Sequence, residues 1–492
     1  MKILIQEAKN GENTASVDGH FLHSNYAPRK EAERFIENLN LPYSPSVIII
    51  SEPGLSYTAD YLRKKFPGIK IAAIRYTDAF QSYDSKFDFV LNYFEHKNFE
   101  VFLENTFSEE ALLSTYFISW PASAKIFPEE EKEAWNAIKS AMLRSKTLLI
   151  TRQYFEKKWL FNSCNFIKYL KRTIDFEGKI NKPALIISSG PSLIPFINLI
   201  KENQKKFFII CLSSAISVCL KNQINPDLCM TSDGGYWAGE HLKPLLKTSI
   251  PLAMSAEAYS HKALLTKQNI LALDYGDGFS SKIINSTDIK IKKAVRNGTV
   301  SGTALLFAVN YCSKDIYFAG LDMACQKGFQ HAQPNQLEVN AATADNRINT
   351  KTGRLTRSEL TNGSLDIYKE WFINNPLNLN NRNVFRMIEE KNRKNSLGWI
   401  KDINSEEFIN YTNKFFADEK QTYQTYRHSY DLKIYNKLFS DEGNSEKWKK
   451  QLFPLDFVQL SHNPANKDIK NKINEEWKLL KKRVEKIFYD NI

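Results

Sequence analysis

The chain has 492 residues, a formal net charge of +12, 42% hydrophobic residues and 25% charged residues. That length supports two or three domains around a large core, and the composition is that of a globular protein, not a disordered or fibrous one. No apolar run reaches the ~18 residues of a membrane span; the longest, Phe207–Leu220, is broken by Ser213, Ser214 and Ser217.

The first residues, MKILIQEAKNGENTAS, lack the apolar core of a signal peptide. A cytoplasmic location is expected. The six cysteines form no CxxC pair and sit mostly in apolar runs, so they read as small buried residues. The lysines are spread widely and no arginine-rich tract or nucleic-acid motif appears. Nucleic acid is not an expected partner, whereas a diffuse positive field suits anionic small substrates or an acidic partner.

The first part runs over residues 1–145. Val47–Ile50 reads as a strand, Ser51-Glu52-Pro53-Gly54-Leu55 as a turn, the stretch to Phe66 as a helix, and Ile69–Ile74 as a second strand. This β-α-β unit carries Glu52 in its turn where a nucleotide site would carry glycines. A phosphate there would face a carboxylate, so this smaller α/β domain is expected to be a scaffold.

A helical stretch, Thr151–Arg172, leads to the second part, residues 146–400. There KPALIISSGPSL reads as a buried strand (Ala184–Ile187), a tight turn and the start of a helix. Gly190 allows a sharp turn, and Pro191 suits the first helical position. The following free amides would suit an anion. Further strands are expected at Phe207–Leu212, Leu228–Ser232, Ile270–Leu273 and Ile316–Ala319, with the clearest helix at Ser301–Tyr311. Such alternation implies a doubly wound, mainly parallel sheet of Rossmann type.

From about Lys401 glycine becomes scarce, and residues 401–492 read as a helical C-terminal region. Ile473, Trp477, Leu480, Val484 and Ile487 fall at helical spacing and form an apolar stripe.

In an open α/β sheet, ligands sit beyond the carboxyl ends of the strands. The residues placed there are Ser188 to Ser192, then Ser213 and Ser214, then Asp233 with Gly234, Gly235, Tyr236 and Trp237, and finally Asp322 with a loop bearing His331. Together they look like a pocket for a polar, nucleotide-sized ligand. Asn297–Thr303 is a second glycine-containing turn opening a helix, suited to anionic groups or to tight helix–sheet packing. His331, on a polar loop, is a candidate general base because imidazole titrates near neutrality. No HExxH, Walker A or EF-hand pattern occurs, and no metal site is expected.

Ser189–Leu193, Asn225-Pro226-Asp227 through Asp233, Gly298–Ala304, Lys314–Asp322 and the nine-residue step from Asp322 to His331 together resemble the Maf (motility-associated factor) flagellin glycosyltransferases. The central domain of that family is shared with 6-hydroxymethylpterin diphosphokinases and is similar to bacterial sialyltransferases. The resemblance spans about residues 150–400, and the helix around Trp159, Asn162 and Asn165 looks like the family's entry to that domain. It implies transfer of a nonulosonic acid, such as pseudaminic or legionaminic acid, from a CMP-activated donor to serine or threonine of flagellin. No further cofactor is obligatory. On this reading Ser189, Gly190, Pro191 and Ser192 hold the nucleotide, and Ser213, Ser214 and Asp233 contact ribose or base. Thr299, Ser301 and Gly302 hold the sugar's anionic end, and Tyr236 and Trp237 stack on base or sugar. His331 is the base and Asp322 orients its loop. The alternatives are a pterin diphosphokinase and a non-catalytic flagellin or nucleotide-sugar binding protein.

Overall fold

The structure, a computed structural model, describes residues 2–96, 98–324, 328–357, 363–416, 421–429, 439 and 442–489. The chain forms two compact units, Met1–Tyr154 with Glu446–Leu479, and Phe155–Ser445 with Leu480–Ile492.

The first unit opens with an antiparallel sheet of β1 (Ile3–Glu7), β2 (Asn13–Val17) and β3 (His20–Phe21). Its main sheet holds β4 (Val47–Ser51), β5 (Lys70–Arg75), β6 (Phe89–Asn92) and β7 (Thr115–Ser119) in the order β6-β5-β4-β7, all parallel. Val47 to Ile50 are buried, as a parallel strand covered on both faces requires. β4 and β5 fall where the sequence places them. The other strands lie in stretches whose alternation is too short to read as a period.

The turn after β4 is closed by its own side chains. Arg75, fully buried, donates to Glu52 Oε1 at 2.8 Å, to the Gly54 carbonyl at 2.9 Å, to Ser56 Oγ at 2.8 Å and to Asp84 at 2.8 Å. Next to it, Glu131 accepts from Ser51 Oγ at 3.0 Å, Tyr76 Oη at 2.8 Å and Trp135 Nε1 at 2.6 Å, and from Ser119 Oγ. Ser51 and Ser119 end the adjacent strands β4 and β7, between which the strand order reverses. That is the crevice where a doubly wound sheet takes a ligand, and here a carboxylate of the chain itself occupies it.

The second unit is built on an eleven-stranded sheet. Its strands are β8 (Arg172–Phe176), β9 (Ala184–Ile187), β10 (Phe208–Leu212), β11 (Leu228–Thr231), β12 (Leu252–Ser255), β13 (Ile270–Asp274), β14 (Lys292–Lys293), β15 (Ile316–Ala319), β16 (Val384–Met387), β17 (Lys401–Ile403) and β18 (Tyr423–Arg427). The order is β17-β16-β15-β9-β10-β11-β12-β13-β8-β18, with β14 on β13. All pairs are parallel except β18 on β8. The five strands read from the sequence are present. Arg172, expected at the end of a helix, begins β8 instead, because the helix Pro128–Tyr169 stops earlier and β-branched Thr173 and Ile174 follow.

The C-terminal stretch contains the helices Glu442–Leu452, Pro454–His462 and Lys467–Tyr489. It also contributes β17 and β18 to the large sheet and is divided between the two units. Ile473, Trp477, Leu480 and Val484 are buried as the stripe predicts, with Phe488 buried in place of the half-buried Ile487. Five of the cysteines are buried free thiols, and Cys325 lies outside the described residues. Among the described residues no helix is long and apolar enough to cross a membrane.

Candidate active site

β9 lies between β10 and β15: the chain runs from β9 through β10 to β13 on one side and returns to β15 on the other, so the strand order reverses beside β9 and a crevice opens at its carboxyl end. Three segments meet there. Gly320 follows β15 with φ of +76°, and a Cβ on it would lie 2.4 Å from the Ser188 carbonyl oxygen. Only glycine fits. Gly190 donates its amide to the Gly320 carbonyl at 2.9 Å, and a Cβ on Gly190 would lie 2.6 Å from Asp322 Cγ.

Asp322 accepts from the Ser192 amide at 3.1 Å and from Ser192 Oγ. Burial pushes its carboxyl above the usual range, against the two Ser192 hydrogen bonds that favour the charged form. These contacts correct one expectation. The backbone at Gly190 has φ of −65°, so this glycine serves close packing against the β15 loop and not a left-handed turn. The amides of Gly190, Ser192 and Leu193 are already bonded, to Gly320, Asp322 and the Gly190 carbonyl. The expected anion cradle at 190–192 is therefore taken up internally, and an anion placed there would meet Asp322. The first turn is also 3₁₀, Pro191–Phe196, before the α-helix Ile197–Asn203 begins.

The second turn keeps its donors. Asn297 Oδ1 accepts from the Thr299 amide at 3.0 Å, and Thr299 Oγ1 caps the helix Val300–Tyr311 by accepting from the Gly302 amide at 2.9 Å. Gly302 leaves room for this Asn297 side chain, since a Cβ would lie 2.1 Å from Asn297 Oδ1 and displace it. The first-turn amides of Val300 and Ser301 have no acceptor within their helix. Ser301 Oγ lies 3.4 Å from Ser188 Oγ, which brings this helix start to the carboxyl end of β9.

The loop after β15 closes over the same edge. Ala332 donates to the Ser189 carbonyl at 2.6 Å, and buried Asn335 donates to the Ser214 carbonyl at 3.1 Å. Ser214 Oγ donates to Ser189 Oγ at 2.9 Å. Ser189, Ser213, Ser214 and His331 are thus gathered on one wall. Burial holds the His331 imidazole below its usual pKa, with the Glu338 carboxylate opposing. Beneath the loop, Arg386 forms a fork on Asp402 at 2.7 and 2.8 Å and holds Asn395, whose amide reaches the Asp322 carbonyl at 3.2 Å and the Met323 carbonyl at 2.8 Å.

Asp233 is exposed, and its carboxylate accepts from the Gly235 amide at 2.8 Å. Tyr236 and Trp237 follow it, more than half exposed, with ring centroids 5.5 Å apart. Asn162 fixes this corner by donating to the Gly234 carbonyl at 3.1 Å and the Glu257 carbonyl at 2.8 Å. Glu257 in turn holds Arg296 by two bonds of 2.6 and 2.8 Å.

Sequence reasoning passed over His241, Asn335, Asn395 and the Glu257–Arg296 pair. His241 sits on the helix Tyr236–Leu242 and is 7% exposed. Its position one turn beyond Tyr236 and Trp237, directly after the Asp233 turn, was the available signal. Among the described residues no group of three or more His, Cys, Asp or Glu side chains is arranged to hold a metal ion.

Residues 157–328 match the family model described as 6-hydroxymethylpterin diphosphokinase MptE-like. The chain is thus a two-unit α/β protein whose second unit contains a stretch similar to that family. Over 280 residues it is 29% identical to an uncharacterized protein of Treponema pallidum (strain Nichols), an alignment that takes in 56% of this chain and 60% of that one. The chain therefore spans less than two thirds of that relative's length. The fold is shared with the MAf glycosyltransferase of Magnetospirillum magneticum AMB-1, with a TM-score of 0.52 and 13% identity over 99% of this chain and 90% of that one. At that identity the likeness is one of fold, and it takes in both units.

Proposed function

We propose that the protein is a glycosyltransferase that moves a nonulosonic acid from a CMP-activated donor to serine or threonine of flagellin, in the cytoplasm before export. The observation that carries the reading is the meeting of the Ser189–Ser214 wall, the Thr299–Gly302 helix start and His331 at one sheet edge. The fold shared with a MAf glycosyltransferase along nearly the whole chain supports it.

On this reading the acceptor oxygen bonds to the donor's anomeric carbon. The bond from that carbon to the phosphoryl oxygen breaks, and its electron pair leaves with CMP. The acceptor proton passes to His331, which burial keeps neutral and able to accept it. The Val300 and Ser301 amides face the donor's anionic sugar end, with the helix dipole behind them. The serine hydroxyls of the 189–214 wall serve the nucleotide, and Tyr236 and Trp237 offer faces for stacking. Asp322 positions the loop through Ser192, and no cofactor beyond the donor is needed.

A diphosphokinase reading is favoured by one observation, the family model matched by the central domain. Calorimetry of the full chain separates the two. Micromolar binding of CMP, with ATP bound far more weakly, is the expected result; tight ATP binding without CMP binding would favour the diphosphokinase. His331→Ala should leave CMP affinity unchanged and slow sugar transfer by about 10²-fold or more. Full transfer by the folded variant would remove His331 as the base.

A further inference from the structure

Glu240, on the helix Tyr236–Leu242, is a carboxylate only 4% exposed that has no part in the chemistry above. One of its oxygens is satisfied: Oε2 accepts from Lys243 Nζ at 2.5 Å and from Asn340 Nδ2 at 3.4 Å. The other is not. Oε1 lies 3.4 Å from His261 Nε2, and both atoms are buried and without a hydrogen-bond partner among the described residues. A buried polar atom without a partner costs free energy unless a ligand supplies one. Contacts place the pair at the Asp233 corner of the site. The Tyr259 amide donates to the Asp233 carbonyl at 2.9 Å, which seats the Tyr259–His261 segment there. That segment packs on Gly239, where a Cβ would lie 2.5 Å from the Tyr259 ring and 3.5 Å from His261 Nε2. The Tyr236 ring centroid is 5.6 Å from that of Tyr259 and 6.5 Å from that of His261. The same helix packs on the Ser213–Ala215 turn of the serine wall.

We infer that Glu240 and His261 read the Watson–Crick edge of the donor's cytosine, with Tyr236 stacked on the ring. The inference rests on the CMP-donor reading of the site. The Lys243 hydrogen bond, helped by Asn340, holds the Glu240 carboxyl below the usual carboxylate range against burial, so near neutral pH it only accepts. That carboxylate, 3.4 Å away, favours the tautomer with the proton on His261 Nε2, which makes this atom a donor. An acceptor beside a donor is the complement of cytosine, whose N4 amino group donates and whose N3 accepts. Uracil presents the reverse pair, a carbonyl at O4 and an N–H at N3. Its O4 would face the carboxylate and leave both atoms of the chain unsatisfied, so the pair selects cytosine over uracil. Tyr236 is 54% exposed and has a ring face to offer the base.

The test compares CMP with UMP by calorimetry on the full chain. The unaltered protein should bind CMP at least about tenfold tighter than UMP. Glu240→Gln, whose amide donates to the O4 of uracil, should bring the two within about threefold of each other. His261→Ala leaves Glu240 and Lys243 in place and should narrow the ratio as well, so it decides the matter if Glu240→Gln does not fold. A pair with only a structural role would weaken both nucleotides alike. An unchanged ratio in the folded variant, or equal binding of CMP and UMP by the unaltered protein, overturns base reading by Glu240 and His261 while CMP binding stands. If the unaltered protein does not bind CMP, the donor reading falls and this inference falls with it.

Discussion

Single residues at the sheet edge show how side-chain chemistry and backbone space are divided. Gly190 packs on the Gly320 carbonyl and the Asp322 side chain, where a Cβ would lie 2.6 Å away, and Gly320 packs on the Ser188 carbonyl, where a Cβ would lie 2.4 Å away. The sequence motif was legible, but its physical cause was not, because that cause is a partner 130 residues away. Asp322 likewise serves Ser192, a contact that no local pattern encodes. His331 was legible because a histidine on a polar loop after a strand end stands out. Glu240 and His261 were not, because they lie on separate segments that only the fold brings together. The charge environment of His331 gives a prediction. On the proposed reading His331 accepts the acceptor's proton when neutral, so transfer should fall only as pH drops through its lowered pKa, below the ordinary imidazole value of 6.5. Glu338 favours the imidazolium, and Glu338→Gln also removes one of the two carboxylates that pair with Arg354, leaving it only Asp345. Both effects disfavour protonation. The acid limb of kcat/KM should move further down in this variant; a limb that moves up or stays would show that Glu338 does not act on the base.

At the level of elements, the two sheets use one topology to different ends. In the second unit the crevice beside β9 is lined by hydroxyls and the helix start at Thr299. In the first, the equivalent crevice beside β4 is filled by Glu131 and closed by Glu52 and Arg75. Glu52, the turn residue on which the sequence reading of a scaffold domain rests, is part of this packing. The strands that were legible are continuous apolar runs such as Ala184–Ile187 and Phe208–Leu212, buried throughout. Leu252–Ser255 ends in a serine and Val384–Met387 is broken by Arg386, and both are fixed by pairing with neighbours distant in sequence. Glu52 and Arg75 are both fully buried, so removing one partner leaves an uncompensated charge. Arg75→Met should cost about 3–5 kcal/mol, measured as a drop in the urea midpoint. The double variant Glu52→Gln with Arg75→Met should recover part of that loss, and a single variant as stable as the unaltered protein would show that the pair does not hold the turn.

Across the whole molecule, the family model covers only the central domain, while the fold likeness to a MAf glycosyltransferase takes in both units and the C-terminal helices. The proposed protein acceptor and the proposed donor meet in one measurement. Flagellin from the same organism is incubated with the full chain and CMP-pseudaminic or CMP-legionaminic acid, and its intact mass is followed beside the CMP released. The account predicts a mass gain of one nonulosonic acid residue per CMP formed, lost in His331→Ala. Unchanged flagellin mass with both donors, together with AMP release from ATP and 6-hydroxymethylpterin, would contradict it.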